Sequence, residues 1–472
     1  MMGKSFEVPA QSEASSNESS TETSLVSVSK NDKSEYQTHD FILDKRKAPA
    51  SKKAGGISIS PCLLDPLVQD LSSSSRYYLS HFASKLTRDL VSHDVPDHNP
   101  YPNSAIYLSN TFSDPLNAAT DSTLSLTLGS PGGEPHSRNE LSAKTLRDAL
   151  TAKQKALQFL RQALDNVETV DREVVLTTIL LSINFELVAS GNDEWKVHVE
   201  GARKLIDHFQ LPSGTPGSPM GQLRDYATAD CLIYYVLGSA FLLRNSRANT
   251  AHHSPNVLPM LERSEVNSYM SCPAVLLQVV LSASHLSDQQ GSVISEEEDQ
   301  DPIDNEVEEA SRLMEKAQSF DVHAWSARVQ GISSHNDFES RLHIALAHKS
   351  AVCLYINRAV PSAKLLNYYS IQALVQNIID NLSSILPGDP LLKGTCWPTF
   401  MAGAESESPE LQKWVVTRIY VLWEILPWGY LRNTLGILRM IWGLKDNPDP
   451  LTRGSDGWLQ KMKALGKEWI VV

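Results

Sequence analysis

Hydrophobic positions along this chain recur mostly at steps of three and four, the spacing that lines side chains along one face of an α-helix. In RYYLSHFASKLTRDL, Tyr78, Phe82, Leu86 and Leu90 fall at steps of four. The clearest amphipathic stretch comes later, where Leu146, Leu150, Leu157, Leu160 and Leu164 share a face and Lys153, Lys155, Arg161 and Asp165 lie mostly off it. Such a face needs a partner. REVVLTTILLSINFELVAS is apolar nearly all round, so it is predicted to be a central helix that forms a tight hairpin with that stretch and stops at Gly191. Asp193 is placed to cap the next helix, in which Trp195, Val199, Ala202, Leu205, Ile206 and Phe209 recur until Pro212.

Further helices are predicted near 222–244, 273–287, 303–318, 337–360, 368–386, 409–425, 428–444 and 456–468. Pro273 suits a first helical position, and Pro387 with Gly388 ends the helix carrying Ile371, Leu374, Ile378, Leu382 and Ile385. No strand is predicted, and no repeat of fixed period appears. The expected fold class is therefore all-α: a large, irregular multi-helix assembly over 61–472, with loops near 96–139, 211–221 and 288–302. Residues 1–60 hold few large apolar groups and are expected to form a disordered tail.

Composition narrows the possibilities. With 41% hydrophobic and 21% charged residues, the 472-residue chain has the make-up of a globular protein. Its net charge of -13 repels nucleic-acid phosphates unless a local basic patch intervenes. Cys62, Cys231, Cys272, Cys353 and Cys396 are scattered, with no C-x-x-C, so neither a zinc module nor a disulfide framework can be written from them. Met1 to Ser29 lacks the apolar core of a secretory signal, and Val174 to Ala189 is too short and too interrupted, by Asn184 and Glu186, for a membrane span. The tail's basic run, Lys45, Arg46, Lys47, Lys52 and Lys53, reads as a nuclear import signal or as a solvated linker.

Candidate chemistry is sparse. SEEEDQDPIDNEVEE, residues 295–309, reads as an acidic interaction surface or, the preferred reading, a solvated loop; Ile303 stands where a calcium loop needs a ligand. Asn336, Asp337 and Ser340 have a spacing suggestive of a terpene cyclase's magnesium site, but Ile344 replaces the last ligand. His252 with His253, and His343 with His348, lack the spacing of a zinc hydrolase. Gly466 and Lys467 do not complete a phosphate loop, and Ser130 does not sit in a nucleophile elbow. His198 reads as a packed core histidine in preference to a ligand, and Trp414, Trp423 and Trp428 as core packing in preference to an effector pocket.

The stretch VVLTTILLSINFELVASGNDEWKVHVEGARKLI resembles the fungal-specific transcription factor domain, the regulatory region found downstream of a six-cysteine zinc cluster. The residues that carry the resemblance are Gly191, Trp195, His198, Gly201 and Ala202, followed by Leu205 and Ile206. RYYLSHFASKL, SCPAVLLQVVLSASHLS, HKSAVCLYINRAV, CWPTFMAGAES with LQKWVVTRIYVLWEI, and GWLQKMKALGKEWIVV follow in family order over roughly 76–472. These positions specify fold better than chemistry. The resemblance implies a nuclear, non-enzymatic regulator of a pathway-specific gene set, for secondary metabolism or drug response. Its partners would be DNA-bound factors or the transcription machinery, with a small effector and a homodimer as open options, no cofactor and no membrane. Only Cys62 stands where the cluster's six cysteines are expected, which implies that DNA is reached indirectly if at all. The alternatives are a cytosolic small-molecule sensor and an all-helical cyclase-like enzyme.

Overall fold

A computed structural model describes residues 82–95, 99–101, 135–165, 172–191, 194–209, 219–242, 257–289, 302–333, 335–360, 370–446 and 457–472. The expected tail with its basic run, Tyr78, Ser130, Asp193, Pro212, His252, His253 and the expected loop centres lie outside these residues. Within them, the chain forms a helical turn Phe82–Leu86 continuing to Thr87–Asp89, then α1 Pro135–Leu164, α2 Arg172–Ala189, α3 Trp195–Phe209 and α4 Pro219–Ser239. A single turn Leu258–Leu261 leads to α5 Ala274–Gln289, α6 Pro302–Ser319, α7 Val322–Ile332, α8 Phe338–Ala359 and α9 Ile371–Ser383. A 3₁₀ segment Pro390–Thr395 leads into α10 Cys396–Glu405, followed by α11 Pro409–Ile425, α12 Gly429–Asp446 and α13 Trp458–Ala464. Among the described residues the only strand-like pairing is an isolated antiparallel bridge between Val91 and Ser268. The all-α expectation is met.

Helix α2, expected to be a central helix, is buried along most of its length, and α8 stands at the centre of the larger group of helices. Its side chains are buried along nearly its whole length, and α5, α6, α7, α9, α10 and α13 all pack around it. Inside a helical core every side of such a helix is covered, so its apolar residues need show no single face. A second group of helices is built on α2, which packs chiefly on α3 and α4; α1 packs on α2 as expected, more lightly than α3 does. One main hydrophobic cluster spans both groups, and a small satellite forms around Val322, Trp325, Val329 and Ala345.

The expected buried face of α1 is also corrected. Leu150 is 50% exposed and Leu164 39% exposed, whereas Ala149, Ala156 and Leu160 are buried. The small alanines allow close approach, and Lys153 reaches Glu186 of α2 at 2.6 Å. An uncompensated carboxylate inside the fold costs far more than an exposed leucine, so the ion pair and the alanines set the rotation of the helix.

Helix ends follow local rules. Gly191 stops α2 with φ +70, a region that disfavours other residues, while its amide and that of Ser190 both donate to the Glu186 carbonyl at 2.7 and 2.9 Å. Asp321 caps α7 by accepting from the Ala324 amide at 2.9 Å, and Ser408 caps α11 by accepting from Leu411 at 3.2 Å. Pro302 opens α6, so residues 302–309 of the acidic run are helical and not loop, with Glu308 and Glu309 beside Arg312. The spacing had predicted neither α7 nor α10: the first is short, and the second is buried on all sides and carries Pro398 in its first turn. The last helix ends at Ala464, not 468. Gly466 then turns the chain at φ +65, and Trp469 to Val472 pack into the core.

Candidate functional site

Residues 89–95 and 99–101 are held on the helical body by polar contacts at successive points. Asp89 accepts from the Trp428 indole at 3.2 Å. Beyond the Val91 bridge, the Ser92 amide donates to the Asn267 carbonyl at 3.0 Å. The His93 amide donates to the Asn267 side-chain oxygen at 2.8 Å, and the Asn267 amide group returns a bond to the His93 carbonyl at 3.0 Å. The Ser92 hydroxyl meets the Ser268 carbonyl and the Ser271 hydroxyl. The His93 ring stacks on His335 with centroids 3.9 Å apart, and its Nε2 lies 2.6 Å from Asp337, which also takes the Arg341 guanidinium at 2.8 Å. This pairing holds the Asp337 carboxyl below the usual carboxylate range in spite of its burial.

The segment ends at Tyr101, whose hydroxyl donates to Asp230 Oδ2 at 2.5 Å. Asp230 lies inside α4 in an apolar run, ATADCLIYYVLGS, and is 1% exposed. Burial pushes its carboxyl up to about 7, while the Tyr101 hydrogen bond pulls the other way. The tyrosines around it, Tyr101, Tyr226, Tyr234 and Tyr269, are raised by the same burial and by the carboxyl's charge. Tyr234 donates to Asn184 Oδ1 at 2.8 Å and its ring leans on Tyr269, centroids 6.1 Å apart. Asp230 Oδ1 and Asn184 Nδ2 have no hydrogen-bond partner in the protein. A buried polar atom normally has one, so these two atoms are exceptions within an otherwise apolar surrounding.

The thiols of Cys231, Cys272, Cys353 and Cys396 are buried and raised by burial, which disfavours the nucleophilic thiolate. Among the described residues, no three of His, Cys, Asp and Glu are placed to hold a metal. Asp337 Oδ2 takes both His93 and Arg341, and Ser340 donates to Asp389 at 2.5 Å, so two of the three residues with cyclase-like spacing are engaged in internal bonds. His343 pairs with Asn381 at 2.9 Å. His348 is buried against the Gly394 carbonyl at 3.0 Å, and burial pushes it down to about 4, leaving it neutral near pH 7. Among the described residues no helix is long and apolar enough to cross a membrane.

Of the residues singled out from sequence, Trp195 fastens α3 to the C-terminal segment. Trp195 is fully buried, and its indole donates to the Glu468 carbonyl at 3.2 Å while Lys196 pairs with the Glu468 carboxylate at 2.8 Å. Ala202 is buried, Gly201 has open space where a Cβ would point, and Gly191 abuts Tyr430. His198 is half-buried, lowered by that burial and by the neighbouring Lys153. Of the three tryptophans, Trp428 is buried against Asp89, Trp423 lies under the Arg432 guanidinium at 4.3 Å, and Trp414 packs partly buried against the core. Sequence reading missed Asp230, although a lone acid in a long apolar run was the available signal.

Comparison with known proteins adds two matches. A family described as the fungal specific transcription factor domain matches residues 77–472. The chain is also 35% identical over 425 residues to the acriflavine sensitivity control protein acr-2 of Neurospora crassa, covering 87% of this chain and 69% of that protein. No solved structure matches significantly.

Proposed function

The chain belongs to the fungal specific transcription factor domain family and is a transcriptional regulator, not an enzyme; from that premise we propose that it governs a drug-response gene set. The observation that carries this reading is its likeness, along most of its length, to a protein named for control of sensitivity to acriflavine. In this reading residues 61–472 form the regulatory domain, and the tail of residues 1–60 directs nuclear import through Lys45, Arg46, Lys47, Lys52 and Lys53. The domain acts through protein partners, DNA being reached through them, and the Asp230 centre receives a small effector. A gene set for secondary metabolism is the alternative target.

Transcript profiling of a deletion strain, with and without an acridine dye, tests this. The expected result is a coherent gene set that loses its response, with chromatin enrichment at those promoters. Unchanged transcripts together with no promoter enrichment would count against it. The rival, a cytosolic sensor, gains if a fluorescent fusion stays outside the nucleus and neutralising the five basic residues changes nothing.

A further inference from the structure

Residues 264–272 carry no helix, yet all but Val266 are buried. Irregular chain is ordinarily found at the surface, where water satisfies its backbone groups, and Ser271 is moreover held at φ 46, a left-handed conformation unusual for a residue with a side chain. This stretch meets both ends of the segment laid over the helices. Asn267 and Ser268 hold residues 91–93, and Tyr269 stands in the field of Asp230, on which Tyr101 is anchored. Strain kept at a buried crossing of this kind is a feature of sites that bind or switch.

Tyr101 belongs to the overlying segment, whereas Asp230, Tyr226 and Tyr234 belong to α4. Its side chain is fully buried, its ring meets Tyr226 edge-on with centroids 6.4 Å apart, and its hydroxyl ends on Asp230 Oδ2 at 2.5 Å. The protein therefore contains a slot shaped for one aryl ring with a hydrogen-bond donor at its tip. The donor that fills it is neutral. Asp230 acts on Tyr101, Tyr226, Cys231, Tyr234 and Tyr269, and Arg341 of α8, which acts on Tyr226, is itself bonded to Asp337 at 2.8 Å. Among the described residues no cation is paired with Asp230. A carboxylate holds a charged N–H about twice as strongly as a neutral O–H, and tyrosine rings favour a cation over a neutral group. A ligand that joins an aryl ring to a charged N–H group thus has a stronger bond to offer this carboxyl than Tyr101 has.

We propose that the slot filled by Tyr101 receives an arylalkylammonium cation, which displaces the Tyr101 phenol and pairs with Asp230. This rests on, and makes specific, the reading in which the Asp230 centre receives a small effector. Displacement loosens residues 99–101, because the Tyr101 amide donates to Asn99 Oδ1 at 3.1 Å and the Asn99 amide to the Val95 carbonyl at 2.8 Å. A neutral aryl alcohol offers the carboxyl only what the tyrosine already gives. An anion would set two like charges together in the interior.

The test uses the full chain, with benzylammonium as the probe and benzyl alcohol as its neutral counterpart, followed by titration calorimetry and amide hydrogen exchange. A dissociation constant on the order of 0.1–1 mM is expected for the cation, with benzyl alcohol at least about tenfold weaker. Pairing needs the ionised carboxyl, whose pKa lies at about 7, so affinity should rise roughly tenfold from pH 6 to pH 8, a range in which the probe keeps its charge. Exchange at the Tyr101 and Asn99 amides should speed up as the site fills. Asp230→Asn keeps the shape and removes the charge, and is expected to lose at least about tenfold in affinity. Tyr101→Ala empties the slot and is expected to bind about tenfold more tightly. Glu424→Gln, at an exposed position, should change nothing.

No binding of the cation, equal affinity for the two probes, a flat pH profile, or binding undiminished by Asp230→Asn overturns the proposal. So does a bound state in which the Tyr101 and Asn99 amides stay protected, or an equal loss with Glu424→Gln, which would mark attraction to the chain's net charge of -13 and not to one site. If Tyr101→Ala fails to fold, Asp230→Asn and the pH profile still decide. Transcript profiling of a deletion strain is independent of this assay, so a regulator without this site and a site without a regulator give different results.

Discussion

The six-membered ring of the Trp195 indole lies directly on Gly238, so close that a Cβ at 238 would sit 2.4 Å from it. One helix turn of α3 is thereby locked to the C-terminal end of α4, and the same indole holds the chain at Glu468. The packing leaves no slack. Gly238→Ala is expected to destabilise the fold by about 1–3 kcal/mol, because the overlapped atoms belong to a rigid ring. Trp195→Leu, which removes that ring, will make the added methyl group far less costly, so urea unfolding of the double variant should show less loss than the two single losses combined. Strict additivity would mean that the two residues do not touch.

The buried pair of Arg358 and Glu405 offers a second test. The guanidinium meets the carboxylate through Nε at 2.6 Å and through Nη2, and the Trp458 indole donates to the same carboxylate at 2.7 Å, tying α8, α10 and α13 together. Glu405→Gln leaves a largely buried cation without its charge partner and is expected to cost about 3–5 kcal/mol. Replacing both residues by Met should cost much less. Urea midpoints of the single and double variants decide it, and a double variant as unstable as the single would contradict the account.

Asp230 makes stability depend on pH in a direction unusual for a carboxylate. Its folded pKa of about 7 lies above the ordinary carboxylate value, so between pH 4 and 7 the folded protein holds a proton that the unfolded chain has released. Stability must then fall as pH rises through that window, by roughly 3–4 kcal/mol for a shift of this size. Asp230→Asn removes the decline, so the variant gains on the natural protein as pH rises. His348, pushed down to about 4, adds the opposite slope between about 4 and 6.5, but to both proteins equally. Parallel stability curves for the two proteins from pH 4 to 8 would show that Asp230 is not buried in this way.

Tyr101→Phe removes the hydroxyl that binds Asp230 Oδ2, leaving the carboxyl with neither oxygen satisfied. A loss of about 1–3 kcal/mol is expected. The Tyr101 amide donates to Asn99 Oδ1 at 3.1 Å, and the Asn99 backbone amide donates to the Val95 carbonyl at 2.8 Å, which links Tyr101 to the residues paired with Asn267. Amide hydrogen exchange at Ser92 and His93 should accelerate. Unchanged exchange there would mean that Asn267 and Asp337 hold the segment without help from Tyr101.

The helices read from sequence were those whose burial is one-sided or whose ends carry local signals. The stripe of Leu374, Ile378, Leu382 and Ile385 predicted α9 to within three residues at either end, and Gly191 marked the end of α2 because a positive φ is a local demand. The 3₁₀ segment leading to α10 escaped notice because its Asp389 cap looks like any turn residue, and α10 because a helix covered on every side has no periodicity to detect. For the Asp230 centre, the acid was visible in the apolar run of α4, but its partner Tyr101 stands far away in the chain.

The order of amino acids alone therefore determined that this protein is helical, where most of its helices begin and stop, and which family it resembles, since periodicity, caps and short signatures are properties of neighbouring residues. Tertiary structure alone decided which leucines of α1 face water, which helix stands at the centre, and that Asp230 and Tyr101 meet. Each of those outcomes depends on desolvation and fit between residues distant in the chain, and a carboxylate such as Glu186 needing a cation can rotate a helix against its own hydrophobic stripe.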